Sequence, residues 1–151
     1  MNKKIVTEIF WWIITGIIVL AILFPMISAG EYQFTWSNAI LIAAFITITR
    51  YIFLLKNTFL SPLQWLKAAM ILLAPIFAFL LINEINKFQT FLDEYGWESV
   101  ISNGAAVSKE GLSKYIYSEM LFFGVGSVIG AFLLPVRMVI SIWRVRNLGR
   151  E

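Results

Sequence analysis

Four long apolar runs, residues 9–30, 32–49, 68–83 and 120–136, fill about half of a 151-residue chain. Crossing the ~30 Å hydrocarbon core of a bilayer as a helix takes about 20 apolar residues. The first run meets that length unaided. The other three do so only if the bases at their ends, Arg50, Lys67 and Arg137, are drawn into the terminal turns of the helices. A chain of this pattern is a polytopic membrane protein, and those bases are its first functional clue.

Composition points the same way. Hydrophobic residues make up 60% of the chain, charged residues only 14%, and the mean hydropathy is +0.81, whereas a soluble domain carries roughly 25% charge. Nothing of low complexity separates the runs, so residues 1–151 are read as a single membrane domain. With no cysteine and no histidine, the chain has no disulfide, no thiolate nucleophile, no zinc–cysteine site and no Ser/His pair. No nucleophile–base set is recognisable, no cofactor is implied, and the expectation is that the protein is not an enzyme.

The first run follows Lys3 and Lys4 and precedes Ser28, Ala29 and Gly30, as a signal peptide would. Its 22 uncharged residues, 9–30, exceed the usual 7–15-residue apolar region of such a leader, so it is read as a retained helix. Lys and Arg in the connections then orient the chain. If the N-terminus is cytoplasmic, the inner segments hold Lys3, Lys4, Lys56, Lys67, Arg144, Arg146 and Arg150, against Lys87, Lys109 and Lys114 outside. Seven against three places both termini inside, in a bacterial-type inner membrane. The basic inner rim attracts anionic lipid headgroups and gives no reason to invoke nucleic acid.

The expected fold class is all-α, with four transmembrane helices near residues 5–29, 37–55, 63–95 and 113–146. Apolar residues spaced by three and four continue past Ile82 through Ile85, Phe88, Phe91 and Leu92 to a stop at Gly96. Helix three therefore extends beyond the membrane, and a kink is expected where Pro75 removes a ladder bond. Residues 83–117 form an outer segment with a turn around residues 102–106. A long connection in a small protein is a functional suspect.

Helix four carries one small and charged stripe. At 100° per residue, Glu119, Gly126, Gly130, Arg137 and Arg144 fall within about 40° of one another. Gly126 and Gly130 make a GxxxG pair, which lets backbones approach where lipid supplies no hydrophobic drive. Helix two offers a small face of Ala39, Ala43 and Thr47. Packing against the chain's own helices and a homo-oligomer seam both remain open for these residues.

Glu8, Arg50 and Arg137 lie at similar depth in the inner leaflet by rise per residue. An ion there is costly unless paired or hydrated, so Glu8 is the natural partner for Arg50 or Arg137. Of the acids, Glu94 and Glu98 beside Asp93 lack the spacing of a calcium loop, and no metal site is read from them. The functional expectation is a non-catalytic accessory or assembly subunit that binds partner membrane proteins through its small-residue faces and outer segment. The alternative is a small transporter or anionic-lipid-binding protein that uses Glu8, Arg50 and Arg137.

Overall fold

The computed structural model describes residues 3–102 and 106–149, leaving aside the side chains of residues 3, 98 and 101–110. It contains four long helices: α1 (Lys3–Ala29), α2 (Thr35–Leu54), α3 (Gln64–Tyr95) and α4 (Ala106–Leu148). All four are long and apolar enough to cross a membrane. α3 and α4, at 32 and 43 residues, are about 48 and 65 Å long and outrun the hydrocarbon core. Proline sits inside three helices, at Pro25, Pro75 and Pro135. α3 continues through Pro75 as one helix.

Helix order alternates direction, so the ends of α1 and α4 that carry the chain termini share one end of the bundle, the termini end. α4 is central and packs against both α2 and α3, while α1 packs mainly on α2. Large apolar side chains face outward along the helices, among them Leu20 and Phe24 of α1, Leu72 and Phe79 of α3 and Phe132 of α4. A water-facing bundle would hide these groups; a lipid-facing one presents them. Exposed aromatics stand at both ends of α4, Tyr117 and Trp143. They are separated by about 39 Å of helix, close to the thickness of a bilayer with its headgroups.

The connections are short and built. A 3-10 turn at Leu55–Asn57 continues α2, and Thr58 caps it by donating its hydroxyl to the Leu55 carbonyl at 2.7 Å. At the far end, two short strands pair antiparallel, β1 (Glu31–Tyr32) with β2 (Ile101–Ser102), Tyr32 opposite Ile101. Two-residue strands have no sequence period, which is why the helical reading of this region did not contain them. The pairing ties the α1–α2 connection to the segment after α3. The expected turn around residues 102–106 falls largely outside the described residues. α4 begins at Ala106 rather than near residue 113, a longer helix than its apolar run implied.

Gly96 ends α3. Its N–H donates to the Leu92 carbonyl at 3.0 Å while its own backbone sits at φ 72°, ψ 174°, a region essentially reserved for glycine. The space around it is open, so a side chain there strains the backbone without a clash. Gly96→Ala should therefore destabilise the protein by about 1–3 kcal/mol while leaving the helical circular dichroism unchanged. Reversible unfolding in mixed micelles checks this.

Candidate functional site

The small and charged stripe of α4 lies against α2. Glu119 meets Asn38, Gly126 meets Phe45, Gly130 meets Ile48 and Arg137 meets the Ile52 carbonyl, so residue numbers rise together along both helices. Between these contacts Ser127 donates to the Leu41 carbonyl at 2.9 Å. α2 and α4 thus run parallel, in close contact from residue 38 to residue 52 of α2, about 21 Å of helix. The glycines face large side chains of α2, not the small face of Ala39 and Ala43. Both of those alanines are only partly buried, and the alanine of α2 in the core is Ala44.

A Cβ on Gly126 would stand 2.7 Å from Phe45 Cε2, and one on Gly130 would stand 2.7 Å from Ile48 Cγ2. Close approach within the chain is what these two glycines provide. Phe45 is half-buried and borders an open surface groove beside Gly126, whereas Ile48 is buried and β-branched. Gly124 is similarly close to Ile85 on α3, 2.9 Å from its Cγ1, a third close approach that the stripe did not include.

At the termini end the structure brings Glu8 and Arg50 together. Glu8 Oε2 lies 2.8 Å from an Arg50 guanidinium nitrogen, with the side chains 14% and 6% exposed. Glu8 Oε1 accepts the Phe59 N–H at 2.9 Å, so one carboxylate joins α1, α2 and the loop before α3. Arg50 also stands 5.4 Å over the ring of Trp11 and 5.5 Å from that of Tyr51, a cation–π arrangement that compensates desolvation.

Arg137 takes a different partner. Its Nε donates to the Ile52 carbonyl at 2.9 Å. The last four carbonyls of a helix have no intrahelical donor, and α2 ends at Leu54, so Arg137 satisfies one of them. Lys67 completes this layer. Wholly buried, at 0% exposure, its ammonium donates to the Ser61 carbonyl at 2.6 Å and to Ser141 Oγ of α4 at 2.8 Å. The sequence marked Lys67 only as the base at the edge of a run. A serine inside an apolar stretch, Ser141, was the signal that a partner was needed there.

The far end holds a second buried polar cluster, which sequence reasoning missed apart from the place of Glu119 on the stripe. Asn38 is 0% exposed and Glu119 6%. Asn38 Nδ2 donates to Glu119 Oε2 at 2.5 Å and lies 3.4 Å from the Tyr32 hydroxyl and 3.6 Å from Met26 Sδ. Burial, and after it the Glu119 carboxylate, push the Tyr32 phenol above its ordinary range, so it stays protonated. Two acceptors remain without a partner, Asn38 Oδ1 and Glu119 Oε1. Next to this cluster Glu84 accepts from Ser37 and from Lys87, both at 2.6 Å, and pins α3 to α2. Among the described residues no group of three or more acids offers a metal site.

Removing Glu8 strands a desolvated guanidinium and a backbone donor together. Glu8→Ala should cost about 3 kcal/mol, measured by reversible unfolding, with Arg50→Ala in the Glu8→Ala background adding much less than it does alone. Along the seam, Gly130→Ala should cost about 1–3 kcal/mol, because the added Cβ meets Cγ2 of a β-branched side chain that is stiff at χ1 within its helix. Gly126→Ala should cost less, and the order of the two measured losses is the check. Compared with protein-family models, with characterised proteins and with solved structures, the chain finds no match.

Proposed function

We propose that the chain is a non-catalytic integral membrane subunit that works by lateral contact with partner membrane proteins. Its orientation in this reading has both termini in the cytoplasm, at the inner membrane of a bacterial-type cell. The observation that carries the reading is the internal use of the intramembrane charge. Arg50 is held by Glu8, Arg137 by an end carbonyl of α2, and Lys67 by Ser61 and Ser141. Charges bound in this way brace the helices, which favours a scaffold over a conduit.

A place for the partner is offered by an apolar groove of about 240 Å³ between α2 and α3, floored by Leu134 of α4. Ala44, Thr47 and Ala74 lie along it beside Met70, Leu73 and Phe77. Short side chains allow a second helical backbone to approach closely, which is how helices associate in lipid. A transmembrane helix of a partner fits this groove better than an acyl chain, because dispersion contact with a helix is retained along the whole length of the small-residue row.

The test begins with gentle extraction from the native membrane and identification of co-purifying proteins. Thr47→Phe, which fills the groove from its rim, should reduce the recovered partner by about tenfold, roughly 1.4 kcal/mol, while thermal unfolding of the chain changes little. Reconstituted into liposomes alone, the protein should move neither ions nor organic anions. Flux lost on Arg137→Gln would reject the accessory role in favour of transport.

A further inference from the structure

We propose that the buried oxygens of Asn38 and Glu119 at the far end of the bundle hold one small monovalent cation, a proton or an alkali ion. The two groups already face each other, since the amide nitrogen of Asn38 donates to one carboxylate oxygen of Glu119. That contact leaves the amide oxygen and the second carboxylate oxygen on the same side chains, both removed from solvent and both without a donor. A buried acceptor with no partner loses its hydration and gains nothing in return. A buried carboxylate also needs a positive charge.

One monocation between Oδ1 and Oε1 answers both needs. A proton there makes the carboxyl–amide ring, in which each group gives and takes one bond. An alkali ion would be coordinated by the same two oxygens, with the Tyr32 hydroxyl, 3.4 Å from Asn38 Nδ2, as the third oxygen of the cluster.

The charge of the surroundings limits the guest to one positive unit. From α1 the cluster meets the Met26 thioether. The strand after α1 presents Tyr32, a neutral phenol. On α4 itself, one turn before Glu119, Tyr115 donates its hydroxyl to the Ile22 carbonyl at 3.0 Å. α3 presents Glu84 in this layer, and its two oxygens are bound to Ser37 and Lys87. A divalent ion generally takes several carboxylates, and among these described residues Glu119 is the one carboxylate not already bound to a base. The site is independent of the α2–α3 groove and of any lateral partner.

Thermal unfolding of the purified full-length chain in detergent tests the proposal. Two titrations are needed, pH from 6 to 9 without alkali ions, and Na⁺ against choline at constant ionic strength and alkaline pH. Glu119→Gln places a permanent N–H donor opposite Asn38 Oδ1 and needs no cation. If the guest is a proton, the wild type loses about 5 °C in Tm as pH rises, because stability from a proton held only in the folded state is lost as protons become scarce. If it is an alkali ion, Na⁺ raises the wild-type Tm by a similar amount. In either case Glu119→Gln is flat.

Equal responses of wild type and Glu119→Gln in both titrations would overturn the proposal. Should that variant fail to fold, infrared difference spectra of the wild type decide. A carboxyl band that shifts with Na⁺, or titrates apart from the exposed acids, supports the site, and its absence overturns it.

Discussion

The parallel seam of α2 and α4 is the contact on which the rest of the structure depends. Lipid offers helices no hydrophobic gain for meeting one another, so association rests on close van der Waals contact and on polar groups that find partners. This seam has both. Gly126 and Gly130 bring the α4 backbone against Phe45 and Ile48, Ser127 bonds the Leu41 carbonyl, and the two ends are closed by Glu119 on Asn38 and Arg137 on the end of α2. α3 then docks on an adjacent face of α4, with Gly124 against Ile85. α1 is added to the outside of α2.

The two ends use polarity differently. At the termini end, four charged side chains bind across the segments they join, beside the buried Leu55 and Leu60. Glu8 gathers α1, α2 and the Phe59 loop, and Lys67 fastens the same loop to α4. A buried ion pair is a weak source of net stability but a strong source of specificity, because every alternative pairing leaves a desolvated charge. At the far end the cluster is smaller and less charged, and both members of the facing Asn38–Glu119 pair keep an acceptor without a donor. The Asn38–Glu119 pair is placed where β1 and β2 tie the connections to the bundle.

Much of the fold was legible in the residues. Long apolar runs with bases at their edges mark helices because the bilayer fixes their length, and the spacing past Ile82 carried α3 to its stop at Gly96. The stripe on α4 was also legible, since the helical period assigns residues to a face. The polar clusters were less so. Common depth grouped Glu8, Arg50 and Arg137, yet depth along a helix does not include direction around it. The structure sends Arg50 to Glu8 and Arg137 to the α2 terminus. Asn38 gave no sign at all, because one amide near the end of an apolar run reads as an ordinary helix entry.

The sequence by itself determined four membrane-length helices, their approximate ends, the face of α4 on which its glycines and charges lie, and the absence of histidine and cysteine chemistry. These follow from composition and period, properties of one segment at a time. Only the tertiary structure decided that this face meets α2 in parallel, that Lys67 is buried against Ser141, and that Asn38 opposes Glu119 across 81 positions of chain. Each depends on which helices become neighbours and how each is rotated. Exposed apolar residues along every helix leave that choice to a few glycines and polar groups, whose partners lie too far along the chain for any local pattern to reveal.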